Sequence, residues 1–429
     1  MMVVALLGLQ LAAGPVESPA PQGDTLPRVT LAEALQRAAR LDPNYISATR
    51  QIADAAWSRR AAIAAFIVPA VSASVTATHY SSEFFNIGTL QPASTIVDAR
   101  LEGRLNLFSG LSKFNELRRA NADVARAEAE ELRARFATAL FTEMDYYDVI
   151  AQRELSRVAR ERVRRAEEQL AIARARVVAG AAVQTDSLQL LLELTTARVA
   201  LLRQEAQHKV AQFQLARRIG APGPVDAVEQ DTLRASPLPL SEDDAIREAA
   251  AESPEAVVAR ASARVAEAQL RTARGAYLPI VDLFGRLTAT DEKFFPTAST
   301  RSSFGISVTL PIWNDAQRET SLSRATTARA VARAIRDDVE LTIRRDVVQA
   351  YEAYEAARAA AELAAQSVTV ASENLRVQEQ RYRSGATTII DLITAQVSLS
   401  EADAELVQAR FATRLALSGL EAILGRRLF

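Results

Sequence analysis

One pattern occurs twice in this chain, and that repetition limits the fold more than any other feature. Residues 105–220 recur as residues 310–425 at a constant spacing of 205, without a gap. The pairs Arg119/Arg324, Tyr146/Tyr351, Arg153/Arg358, Arg176/Arg381, Gly180/Gly385 and Asp186/Asp391 are identical. Upstream, Pro43 and Pro254 stand 211 apart, and Pro69 and Pro279 stand 210 apart. A unit this long is no solenoid repeat. It predicts two copies of one half-protein, residues 28–220 and 241–429, joined by a proline-rich connector at 221–240.

Helix formers dominate the composition. The net charge of −1 offers no basic field for nucleic acid, and the absence of cysteine excludes disulfides and zinc–thiolate sites. No apolar run reaches the roughly eighteen residues of a membrane-spanning helix. Residues 1–27 combine an apolar run, Ala12-Ala13-Gly14 and a proline-rich stretch, which reads as a signal peptide with a flexible segment; its usual basic start is missing.

The period of the pattern changes along each half. Leu31 opens a short amphipathic helix that stops before Asp42-Pro43, and a second helix stops before Pro69. Residues 95–108 then alternate: Val97, Ala99, Leu101, Gly103 and Leu105 on one face, Asp98, Arg100, Glu102 and Arg104 on the other. That is the period of a strand. Residues 70–81 alternate more weakly, and the second half repeats the plan at 280–290, with Asp282 and Arg286 on the polar face, and at 302–312. Each strand is long enough to cross a bilayer at a tilt. Small aliphatic faces with aromatics at the ends, Phe84, Phe85 and Phe108, suit a barrel with lipid outside and water inside.

Helical period returns over 111–178 and 316–383. A rod of about 67 residues at about 1.5 Å each is about 100 Å long. The chain turns at Ala179-Gly180-Ala181 and Ser384-Gly385-Ala386 and comes back as helices at 183–219 and 388–424. On the first return helix Leu188, Leu192, Thr195, Val199, Leu202 and Ala206 follow the spacing of a coiled-coil seam.

Four strands cannot close a barrel, and an open edge in lipid leaves backbone groups unsatisfied. Several copies must share one barrel; three would supply twelve strands. The expected fold is therefore mainly α with a transmembrane β-barrel, a homotrimer whose rods form an α-helical tunnel. Asp98, Arg100, Glu102, Arg104, Asp282 and Arg286 would line the lumen.

Residues 380–396, from Gln380-Arg381-Tyr382-Arg383-Ser384-Gly385-Ala386 through Asp391 to Ala395-Gln396, are similar to the second periplasmic turn of the TolC family of outer-membrane efflux proteins. Over nearly its whole length the chain resembles that family. The resemblance implies a homotrimeric channel-tunnel in the outer membrane of a Gram-negative bacterium, with a large periplasmic portion. It implies a periplasmic adaptor and an inner-membrane transporter as partners, and no cofactor. It also assigns Gly180 and Gly385 to the adaptor-docking tip, and Asp186, Tyr382 and Asp391 to the periplasmic gate. Some members carry an arginine two residues after the second glycine; this chain has Thr387. Asp186 and Asp391 are equally suited to capping their return helices.

Nothing points to an enzyme. His79 and His208 are isolated, and no phosphate loop or nucleophile elbow is present. Trp57 and Trp313 suit packing or anchoring at a membrane interface. The competing reading is a soluble periplasmic coiled-coil scaffold without channel activity, its strands forming a small sheet.

Overall fold

The computed structural model describes residues 26–86, 91–228, 236–291 and 299–428. The signal-peptide reading and the tips of both strand hairpins lie outside them. In chain order the elements are β1 (Arg28–Val29), α1 (Leu31–Leu41), α2 (Pro43–Ala64), β2 (Ala70–Asn86), β3 (Gln91–Ser109), α3 (Ser112–Val178) and α4 (Gln184–Ile219). They continue as β4 (Asp226–Ala227), α5 (Glu242–Glu252), α6 (Pro254–Gly275), β5 (Ile280–Asp291), β6 (Ser299–Thr309), α7 (Gln317–Arg383) and α8 (Ile389–Leu424).

The elements obey the spacing of the repeat. Both ends of α7 lie 205 beyond those of α3, and both ends of α8 lie 205 beyond those of α4. Both ends of α5 and α6 lie 211 beyond those of α1 and α2. Local chemistry explains the shared boundaries. Asp42 accepts from the Asn44 and Tyr45 amides, Ser253 accepts from the Ala256 amide, and each cap is followed by a proline that has no amide to lose. At the sheet-to-rod junctions the tandem left-handed pair Gly110-Leu111 is matched by Asp315-Ala316.

Among the described residues β2, β3, β5 and β6 form one antiparallel sheet in that order. The first hairpin is longer than its alternating stretch: β2 has 17 residues and β3 has 19, against 12 and 11 in β5 and β6. A bulge between His79 and Phe84 absorbs the irregularity in β2. Below the sheet α2 and α4 both pack on α3, and α6 and α8 both pack on α7. The halves join where α3 meets α6 and α8.

One expectation is corrected. On α4 the buried positions are Leu190, Leu194, Ala197, Ala211 and Leu215, whereas Leu188, Leu192, Val199 and Leu202 are 42–68% exposed. The helix carries two apolar stripes of the same period, and periodicity cannot say which one its own chain covers. The stripe read as the in-chain seam is the one left open.

The connector is held by both halves. Tyr146 donates its hydroxyl to the Val228 carbonyl at 2.6 Å, and Tyr354 donates to the Ser236 carbonyl at 2.5 Å. β1 and β4 pair in parallel beside Tyr146, whose pKa burial pushes up to about 12. Tyr146→Phe leaves a carbonyl without its donor; an expected loss of about 1–2 kcal/mol is read by denaturant unfolding.

Candidate functional site

Three regions carry the residues singled out from the sequence. The first is the polar face of the sheet. Asp98, Arg100, Glu102 and Arg104 on β3 share it with Asp282 and Arg286 on β5, because the register sets Glu102 opposite Arg286 and Asn106 opposite Asp282. Glu102 accepts from Arg286 at 3.0 Å and from Arg104 at 3.4 Å. Thr290 donates to Asp98 at 2.7 Å, and Asn106 donates to Asp282 at 2.9 Å. The opposite face is aliphatic and open: Val71, Leu101, Leu287, Ile306 and Val308 are 44–67% exposed. One sheet thus has a charged, cross-linked face and a bare apolar one.

The second region is the far end of the rods. Gly180 and Gly385 have φ of 70° and 75°, the left-handed conformation that ends a helix at low cost only in glycine. Each is followed by an alanine whose amide returns to the carbonyl of Arg176 or Arg381 at 2.8 Å. A side chain at either glycine would meet nothing within 4 Å, so both turns present bare backbone. The two hairpins are joined there by an apolar cluster that includes Leu170, Leu190, Leu194, Tyr382, Leu392 and Leu399.

Tyr382 is buried in that cluster, and its hydroxyl donates to Asp186 Oδ2 at 3.4 Å. Burial raises its pKa, and the Asp186 charge raises it further. Gln169 donates to Glu379 at 3.2 Å one layer up. Arg176 joins this contact from the first hairpin. Its guanidinium lies over the Tyr382 ring, 4.8 Å from the centroid, and donates to the Tyr382 and Ala181 carbonyls. The first hairpin therefore grips the aromatic of the second by a cation–π contact. A single-sequence pattern shows Arg176 only as one member of the Arg176/Arg381 pair.

Asp391 stands apart from Asp186 in chemistry. Its Oδ2 accepts from the Thr388 hydroxyl at 2.7 Å, from the Thr387 hydroxyl at 2.8 Å and from the Thr388 amide at 3.1 Å, closing a capping box on α8. These bonds, Thr388 first, hold its pKa below the usual carboxylate value. The α4 start at Val183 has no side-chain cap, so capping describes Asp391 and not Asp186.

The third region is absent from the sequence reading. Glu143 of α3 and Glu421 of α8 are 2% and 4% exposed, and Arg427 bridges them. Ser418 donates to Glu143, and the Leu428 amide donates to Glu421 at 2.8 Å. Among the described residues no group of three potential metal ligands is gathered, and no helix is long and apolar enough to cross a membrane.

Residues 245–426 match the profile of the family described as "Outer membrane efflux protein". That match lies within the second half of the chain. The chain is 26% identical over 311 residues to the outer membrane efflux protein BepC of Brucella suis biovar 1 (strain 1330), a match covering 71% of this chain and 66% of BepC. The chain thus spans just under two thirds of that relative's length. Its fold matches the crystal structure of a membrane protein from Pseudomonas aeruginosa with a TM-score of 0.79 at 20% identity, over 97% of each chain. It also matches the outer membrane protein VceC of Vibrio cholerae with a TM-score of 0.76 at 16% identity, over 93% of this chain and 97% of VceC.

Proposed function

We propose that this chain is a passive export channel of the outer membrane, with a large periplasmic portion, that works as a homotrimer. In this reading three copies close a twelve-stranded barrel, and the rods form a tunnel below it that docks a periplasmic adaptor and an inner-membrane transporter. The observation that carries it is the sheet itself. A charged face, an exposed aliphatic face and two unpaired edges make no sense in water but suit a shared barrel in lipid. A soluble scaffold would have to leave that apolar face bare.

The gate in this proposal is the tip cluster. Tyr382 bonded to Asp186 holds the hairpins together, and Gly180 and Gly385 present the backbone that an adaptor meets. Asp391 contributes one carboxylate per copy to a ring that attracts cations. Wild-type protein in planar bilayers is expected to give small, uniform conductance steps, and Tyr382→Phe to enlarge them several-fold. A water-soluble monomer without channel activity would overturn the reading. Gly385→Trp is expected to abolish adaptor pull-down while leaving the trimer intact.

The low pKa of Asp391 sets a pH dependence. A depressed folded-state pKa means that the cap stabilises above the unfolded carboxylate value and is lost as pH falls through the folded one. The capping bonds favour the charged form of each Asp391 carboxylate in mild acid. Cation selectivity is expected to be as strong at pH 5 as at pH 7, and to fall in Asp391→Asn at both. Reversal-potential measurements under a salt gradient read it.

A further inference from the structure

The polar face of the sheet is unevenly charged, and the strand register shows where the imbalance falls. Residues opposite one another on neighbouring strands form rows, and successive rows on one face stand about 7 Å apart along the strands. One row runs Ser72, Glu102, Arg286 and Ser303 across β2, β3, β5 and β6. Its two charges cancel in the ion pair between Arg286 and Glu102. The next row runs Ser74, Arg100, Thr288 and Arg301. It holds two arginines and no acid.

The chain itself does not use these two side chains. Arg104 and Arg286 both bond to Glu102, whereas Arg100 and Arg301 are exposed and have no hydrogen bond or ion pair among the described residues. Asp98 lies one row to the other side, but it accepts from the Thr290 hydroxyl. β2 brings only Ala70, Ser72, Ser74, Thr76 and Thr78 to this face before its bulge, and β6 brings Ser303, Gly305 and Ser307 beside Arg301. No edge strand therefore supplies a carboxylate. Arg100 and Arg301 stand two strand spacings apart, about 9.6 Å at the backbone, so their long side chains can converge over Thr288. Two like charges so placed repel unless an anion lies between them. A guanidinium offers a planar fork of donors that matches two oxygens of a carboxylate or phosphate.

We infer that Arg100 and Arg301 form an anion site in the barrel lumen for solutes that carry two or more phosphate or carboxylate groups. The inference rests on the channel reading, which makes this face a lumen, and adds to it a preference of opposite sign. Asp391 attracts cations at the tip, while Arg100 and Arg301 hold anions at one level of the barrel. Because the site is open to water, its hold is weak and falls with salt. A solute would pause there rather than lodge.

Inorganic pyrophosphate is the probe, added on the barrel side of single channels in planar bilayers. At about 0.1 M salt, millimolar pyrophosphate is expected to lower the wild-type current about twofold, and about 1 M salt should abolish that block. Arg100→Ser with Arg301→Ser should need roughly tenfold more pyrophosphate for equal block. The corresponding pair of lysine substitutions should recover part of it, because the charge stays and the fork is lost. Arg301→Ser and Arg104→Ser each remove one positive charge from the face, yet only the first should weaken the block. Equal weakening by the two would assign the effect to the field of the whole barrel and overturn the site. Wild-type channels that pyrophosphate leaves unblocked would overturn it too, and in both cases the channel reading stands. Protein that gives no conductance steps overturns both.

Discussion

Replacing Arg427 by alanine is expected to lower the unfolding free energy by about 3 kcal/mol, because it strands two buried carboxylates. Glu143 lies on the long helix of the first half and Glu421 on the return helix of the second, and a single guanidinium serves both. Burial alone would pull the Arg427 pKa down; its bonds to Glu143 and then Glu421 overcome this and hold it above the usual arginine value. The arginine is partly open to solvent while both acids are closed off, which keeps the expected loss at the lower end for a broken buried pair. Without Arg427 the cheapest response is to protonate an acid, so the deficit should shrink as pH falls. Arg427→Lys should recover only part of the loss, since one ammonium cannot reproduce two forked contacts. Denaturant unfolding in detergent at pH 5 and 8 reads all three. An alanine variant as stable as the wild type would mean that packing, not the bridge, holds the end of the chain.

A second large effect is expected at Gly275. Its backbone and that of Gly110 come together where the first-half sheet turns into its rod beside the end of α6, and a Cβ built on either glycine overlaps the carbonyl of the other. Gly110 is also held at φ 60°, so it has two reasons to be glycine and Gly275 has one. Gly275→Val must push backbone against backbone, which costs about 3 kcal/mol by analogy with overpacked cores. Because the junction sets the angle between sheet and rod, the yield of assembled oligomer should fall with it. Gly180→Ala is the contrasting case. There the space is open and only the left-handed φ resists, so the cost should be about 1 kcal/mol with assembly unaffected. Thermal melting with gel analysis of oligomers separates the two. Equal effects at Gly275 and Gly180 would count against the steric argument.

Much of the fold was legible because it is written locally. Asp42-Pro43 and Ser253-Pro254 cap helices with residues three or fewer positions away, and Gly180 and Gly385 end rods by their own φ. Glu102 faces the same way as Arg100 and Arg104 because a strand alternates, and no partner is needed to know it. Asp186 and Tyr382 do meet, although 196 residues separate them. That pairing entered through resemblance to a family, not through any spacing in the chain. Arg176 illustrates what resemblance left out. Its contact with Tyr382 depends on how two hairpin tips lie against each other.

By itself the sequence determined the doubled plan, the change from helix to strand period, the rod lengths and the turns, since each rests on dihedral preference and side-chain period within a few residues. Only the tertiary structure decided which stripe of α4 its own chain covers, that Asp391 caps while Asp186 bonds to Tyr382, and that Glu143, Glu421 and Arg427 share one site. Those outcomes depend on which surfaces meet. Two stripes of equal period, or two acids followed by similar helices, are indistinguishable until a neighbour from far along the chain buries one and leaves the other open.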